Sequence, residues 1–123
     1  MPARKIMLIE DDIDIRENMA MVLQYEGYDV LQAEQGADAI AKLEACTDLP
    51  DVILLDLFMP VMNGREFLDA IDAHARSEFQ KIPVILITAS EKNNREDLDT
   101  RTAAVLRKPI DLKYFLDLIP TVI

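Results

Sequence analysis

The chain has 123 residues, half of them hydrophobic and 29% charged, with a formal net charge of −10 at pH 7. This length suits one domain, read as residues 1–123, which buries roughly two-thirds of its unfolded surface, and no apolar run approaches the ~18 residues that a membrane span requires. The acidity opposes direct binding to nucleic acid, whose phosphates attract clustered Lys and Arg, and leaves a partner with a basic patch, or plain solubility, as its meaning.

The first residues, Met1-Pro2-Ala3-Arg4-Lys5, lead into an apolar stretch of only Ile6 to Ile9 before acids begin. That stretch is too short for a signal peptide, and a lone Cys46 excludes an intramolecular disulfide, so a reducing cytoplasm is the expected setting. Cys46 is expected to pack against a helix. Ile6 to Ile9 reads as a strand buried on both faces, because it is a short apolar run bounded by polar residues. After Glu10, Asp11 and Asp12 come Ile15, Met19, Val22 and Leu23, spaced for one face of a helix that stops at Gly27; Asp12 is its natural N-cap.

Tyr28 to Ala33 predicts a second strand, and Gly36 opens a second helix with Ile40 and Leu43 inward. Pro50 separates it from a third strand, Val52 to Leu55, which ends at Asp56. Met59-Pro60-Val61-Met62-Asn63-Gly64 carries turn formers and leads to a helix with Phe67, Leu68 and Ile71 inward; His74 at its polar end is read as ordinary surface. Pro83 introduces a fourth strand, Val84 to Ile87, which ends at Thr88. The stretch from Ser90 to Thr102 has Leu98 as its only large apolar residue, so a helix there is expected to be weakly anchored and mobile. A fifth strand, Ala103 to Leu106, precedes Lys108-Pro109, and Asp111 caps a last helix expected to bury Leu112, Phe115, Leu116 and Ile119.

Strand and helix alternating five times predict a βαβ series with right-handed crossovers, hence an α/β doubly wound three-layer sandwich on a five-stranded parallel sheet. Ligands of such sheets bind beyond the carboxyl ends of the strands, where Glu10, Asp11, Asp56, Thr88 and Lys108 all fall. Carboxylates gathered at close range repel unless a cation neutralises them. Magnesium answers that need with hard oxygen ligands at about 2.1 Å, and it commonly bridges carboxylates to a phosphoryl group. A hydroxyl and an ammonium nearby suit phosphoryl oxygens, and an Asp in such company can act as nucleophile and form an acyl phosphate.

The motifs Leu8-Ile9-Glu10-Asp11-Asp12, Leu54-Leu55-Asp56-Leu57-Phe58-Met59-Pro60 with Asn63-Gly64, Ile87-Thr88-Ala89 and Lys108-Pro109 resemble the receiver domain of two-component response regulators, the single-domain chemotaxis type being its smallest form. The resemblance spans nearly the whole chain and implies a flavodoxin-like sheet of order 2-1-3-4-5. It also implies that Asp56 accepts a phosphoryl group from a phosphohistidine on a sensor histidine kinase or histidine phosphotransfer protein. Mg2+, with Mn2+ able to substitute, would be held by Glu10, Asp11, Asp56 and the backbone carbonyl of Phe58, while Thr88 and Lys108 would contact the phosphoryl group. A cis bond between Lys108 and Pro109 belongs to the same implication. So do a switch in partner binding rather than turnover of an external substrate, and a downstream protein target.

The chain departs from the family pattern at Val105 and in a Thr88-to-Lys108 segment that is a little shorter than the family norm. Val105 stands three places before the lysine, where the family usually carries Tyr or Phe, so the usual aromatic read-out has no ring to move. The signal is then expected to pass through ordering or displacement of Ser90 to Thr102. Phe58, two places after Asp56, is expected to shield the acyl phosphate from water, or simply to cover the site rim or touch a partner. Other readings stay open: a magnesium-dependent aspartyl-phosphate phosphatase, although Phe58 stands where a second Asp belongs; a flavodoxin-like electron carrier; and a receiver that only scaffolds partners without being phosphorylated. No membrane or direct nucleic-acid contact is expected, and the state in solution is read as monomer or weak homodimer.

Overall fold

Alternate residues of the central strands point to opposite hydrophobic layers, which fixes both the sheet and the helices that cover it. The computed structural model describes residues 4–56, 62–88, 102–108 and 110–123; the expectations for Phe58, Ser90 and Pro109, and nearly all of the polar stretch before Thr102, lie outside them. The strands are β1 (Lys5–Ile9), β2 (Asp29–Ala33), β3 (Val52–Asp56), β4 (Val84–Thr88) and β5 (Ala104–Arg107). The helices are α1 (Ile13–Tyr25), α2 (Gly36–Ala45), α3 (Gly64–Asp72) and α4 (Leu112–Val122), with a 3-10 turn at Ser77–Lys81.

The strands form one parallel sheet in the order β2-β1-β3-β4-β5. Met7, Ile9, Ile53, Leu55 and Leu86 join Leu43, Phe67, Leu68 and Ile71 in the layer under α2 and α3. Ile6, Leu8, Leu54, Ile85 and Ile87 join Ala20, Leu23, Phe115 and Ile119 in the layer under α1 and α4. Both faces are covered, so β1, β3 and β4 tolerate continuous apolar runs, each buried side chain contributing roughly 1.5–3 kcal/mol. The expected doubly wound sandwich is therefore present. Among the described residues no helix is long and apolar enough to cross a membrane.

Local signals set the helix ends. The Asp12 carboxylate accepts from the N–H groups of Asp14 and Ile15, satisfying donors that the first turn leaves without partners. Gly27, at φ 97°, takes the left-handed conformation that ends α1. Asn63 and Glu66 form a reciprocal capping box at α3, and Asp111 accepts from the Tyr114 N–H at α4.

Several expectations are corrected. Ile15 and Leu112 were assigned to inward faces but are 38% and 49% exposed; with Met19, Val22, Ile110 and Phe115 they line an open apolar groove of about 360 Å3 between α1 and α4. A helical stripe read from spacing is wider than the strip its neighbours cover. β5 runs one residue later than expected. His74 is no idle surface residue: its Nε2 lies 2.9 Å from Glu44 Oε2, its Nδ1 accepts from the Arg76 N–H, and its ring sits 4.6 Å from that of buried Phe79. It ties the end of α3 to α2 and to the 3-10 turn, which the sequence reading missed.

Candidate functional site

Sheet register brings the polar strand ends together. Ile9 lies opposite Leu55, Leu55 opposite Leu86, and Leu86 opposite Val105. One step further along, Glu10 comes level with Asp56, whose own neighbour on β4 is Ile87. Thr88 follows, paired with Arg107, and its carbonyl accepts from the Lys108 N–H at 2.9 Å. Residues 46 positions apart (56 minus 10) thus meet because two crossovers return the chain beside β1.

Glu10, Asp56 and Thr88, at 3%, 4% and 6% exposure, are the buried polar residues among the described ones. One carboxylate oxygen from each of Glu10, Asp11 and Asp56 lies within 4.8 Å of the others, Asp11 being the exposed member. The Lys108 ammonium reaches across to Asp56 Oδ2 at 3.4 Å and Glu10 Oε1 at 3.6 Å. Burial, then the hydrogen bond and negative charge of Asp56, push the Glu10 carboxyl from 4.5 up to about 8, and the Lys108 charge only partly opposes this. For Lys108, burial disfavours the charged form, but attraction to Asp56 and Glu10 outweighs it and raises the ammonium above its ordinary value. The pocket is too negative for its burial: without a metal, Glu10 keeps a proton to relieve it.

The turn that carries two of these acids is held from both sides. Glu10 N–H donates to the Ala33 carbonyl at 3.1 Å, and the Arg16 guanidinium donates to the Glu10 carbonyl at 2.8 Å. The sequence reading missed Arg16; its one signal was a cation placed a single turn after the Asp12 cap. Asp12 itself caps α1, as expected, and stands outside the three-acid group. Val105 packs in the layer under α2 and α3, level with Leu86.

These residues fit a small, hard divalent cation. The donor group is made of carboxylates alone, with oxygens within 4.8 Å of one another, and ligands at about 2.1 Å on an octahedral ion stand about 3.0 Å apart when adjacent and about 4.2 Å when opposite, both inside that limit. Magnesium or manganese suits such oxygens, whereas soft-ligand metals do not.

Comparison with known proteins follows the same direction. A family model described as "Response regulator receiver domain" matches residues 6–119. Protein PilH of Pseudomonas aeruginosa is 31% identical over 121 residues, covering 97% of each chain. The chemotaxis protein CheY4 of Vibrio cholerae superposes with a TM-score of 0.87 at 28% identity, over 99% of this chain and 100% of that one. The response regulator TrrA of Thermotoga maritima, solved in complex with Mg2+-BeF, superposes with a TM-score of 0.82 at 26% identity, over 98% of this chain and 99% of TrrA. Other relatives are longer transcriptional regulatory proteins, of which the chain spans 34 to 48%.

Proposed function

This chain belongs to the response regulator receiver domain family, a family of signalling domains in two-component systems, and on that premise we propose that Asp56 takes a phosphoryl group from a partner's phosphohistidine. The observation that carries the reading is Asp56 itself, a buried carboxylate at the end of the middle strand, grouped with two further acids and ion-paired to Lys108. An Asp56 oxygen attacks phosphorus, the phosphorus–nitrogen bond to the partner imidazole breaks, and an acyl phosphate forms on Asp56. Glu10, Asp11 and Asp56, together with the Phe58 carbonyl that the family resemblance implies, would hold Mg2+, or Mn2+ in its place; the ion would supply charge neutralisation for the phosphoryl oxygens. The complex of TrrA with Mg2+-BeF supports this ligand class. Lys108 and Thr88 then hold the transferred phosphoryl oxygens.

The donor is a sensor histidine kinase or a histidine phosphotransfer protein in the cytoplasm, and the phosphorylated form changes its affinity for a downstream protein. The chain works as a switch, monomeric or weakly dimeric, rather than as an enzyme turning over an external substrate. Incubation with acetyl phosphate and Mg2+ followed by intact-mass measurement tests this. Wild type is expected to gain one phosphoryl group and Asp56→Asn none. Equal uptake by both would move the acceptor elsewhere, and no uptake by either would leave a scaffold as the better reading.

A further inference from the structure

We propose that Arg16 is a positioning residue for the metal pocket, fixing the peptide group from which Glu10 and Asp11 both hang. This rests on the reading of that pocket as a Mg2+ site. Glu10 lies one residue past the end of β1, where sheet hydrogen bonds run out. Its N–H is still met by the Ala33 carbonyl, but its carbonyl is met by Arg16 Nη1 at 2.8 Å. That carbonyl shares a rigid, planar peptide unit with the Asp11 nitrogen. Holding its orientation therefore sets the directions in which one buried and one exposed carboxylate leave the chain.

The guanidinium is itself held. Arg16 Nε donates to Gln32 Oε1 at 3.3 Å, and the Gln32 carbonyl accepts from Lys42 Nζ at 2.6 Å, with Lys42 paired to Asp38 at 3.2 Å. The fork of Arg16 thus spans from the site turn to β2, and the network continues to α2. Arginine suits this task because its planar donors fix two acceptors at once, which a lysine cannot do in the same geometry. Groups that orient metal ligands in this way change metal affinity by about 10- to 100-fold when removed.

Charge and bracing predict opposite signs. Arg16→Met keeps the apolar stem and deletes a cation beside an acidic pocket, so charge alone would tighten Mg2+ binding. Loss of the brace loosens it. Titration of full-length protein with Mg2+ is expected to give an affinity about tenfold or more weaker for Arg16→Met, with Arg16→Lys in between and with the melting temperature of the Mg2+-free protein little changed. Unchanged or tighter binding in Arg16→Met overturns the proposal, as does Arg16→Lys falling as far as Arg16→Met. A metal-free measurement separates this from failure of the Mg2+ reading: the Glu10 carbonyl 13C resonance is expected to move upfield in Arg16→Met as its charged donor is lost. An unmoved resonance overturns the brace even if wild type binds no Mg2+.

Discussion

Lys108 sits at the balance point of the site, because its ammonium is the cation within 3.6 Å of two buried carboxylates. On the proposed phosphoacceptor reading, a lysine there competes with an incoming metal ion and serves a phosphoryl group once transfer occurs. Lys108→Met separates these roles. Mg2+ affinity is expected to hold or rise, since a competing charge has gone, while the rate of phosphoryl uptake from acetyl phosphate falls by about 100-fold, the usual cost of losing one donor to a developing anion. Mg2+ titration and time-resolved intact-mass measurement on the same variant check both halves. Weaker metal binding with an unchanged uptake rate would reverse the assignment. Val105 packs with the core under α2 and α3 and carries neither ring nor phenol.

At the scale of elements, the start of α2 is pressed against the chain that returns from the site. An added Cβ at Gly36 would lie 2.6 Å from Met62 Cγ and 2.8 Å from its Sδ, and the Gly36 N–H donates to the Met62 carbonyl at 3.2 Å. The glycine is needed here for close approach. Gly36→Ala is expected to destabilise the protein by about 1–3 kcal/mol through overpacking, read as a lower denaturation midpoint in urea with an unchanged slope. No loss would mean that Met62 swings aside freely. The apolar groove between α1 and α4 teaches the complementary lesson. Periodicity places Ile15 and Leu112 inward, yet both are exposed, while Leu23, Phe115 and Ile119 of the same stripes are fully covered.

Across the whole molecule, the acidic pocket is expected to couple stability to pH and to metal. Below pH 4.5 Glu10 is protonated in the folded and unfolded states alike; between 4.5 and about 8 only the folded state keeps the proton. Unfolding then releases a proton, so stability of the metal-free protein falls as pH rises through this window, by an amount on the order of a few kcal/mol, and levels off above it. Thermal melts in a chelator are expected to show that decline, and Glu10→Gln, which has no proton to lose, should remove this component. Saturating Mg2+ should cancel or reverse it, since the metal binds the ionised carboxylates and adds about 2.7 kcal/mol at a hundred times its Kd. A metal-free stability that is identical in wild type and Glu10→Gln at every pH would exclude a folded-state proton on Glu10.

The sequence by itself determined the elements and their alternation, because burial on both faces forces continuous apolar runs and because caps such as Asp12, Asn63 and Asp111 act on neighbours a few residues away. It also placed acids, Thr88 and Lys108 at strand ends, and its motifs pointed to the family. Tertiary structure alone decided how far apart those groups stand, that Glu10 comes level with Asp56, and that Lys108 spans both. It alone also brought Arg16 to the Glu10 carbonyl and made His74 a tie. Such contacts join residues as many as 98 positions apart, Lys108 and Glu10, so they depend on sheet register and crossover geometry, which local periodicity does not encode.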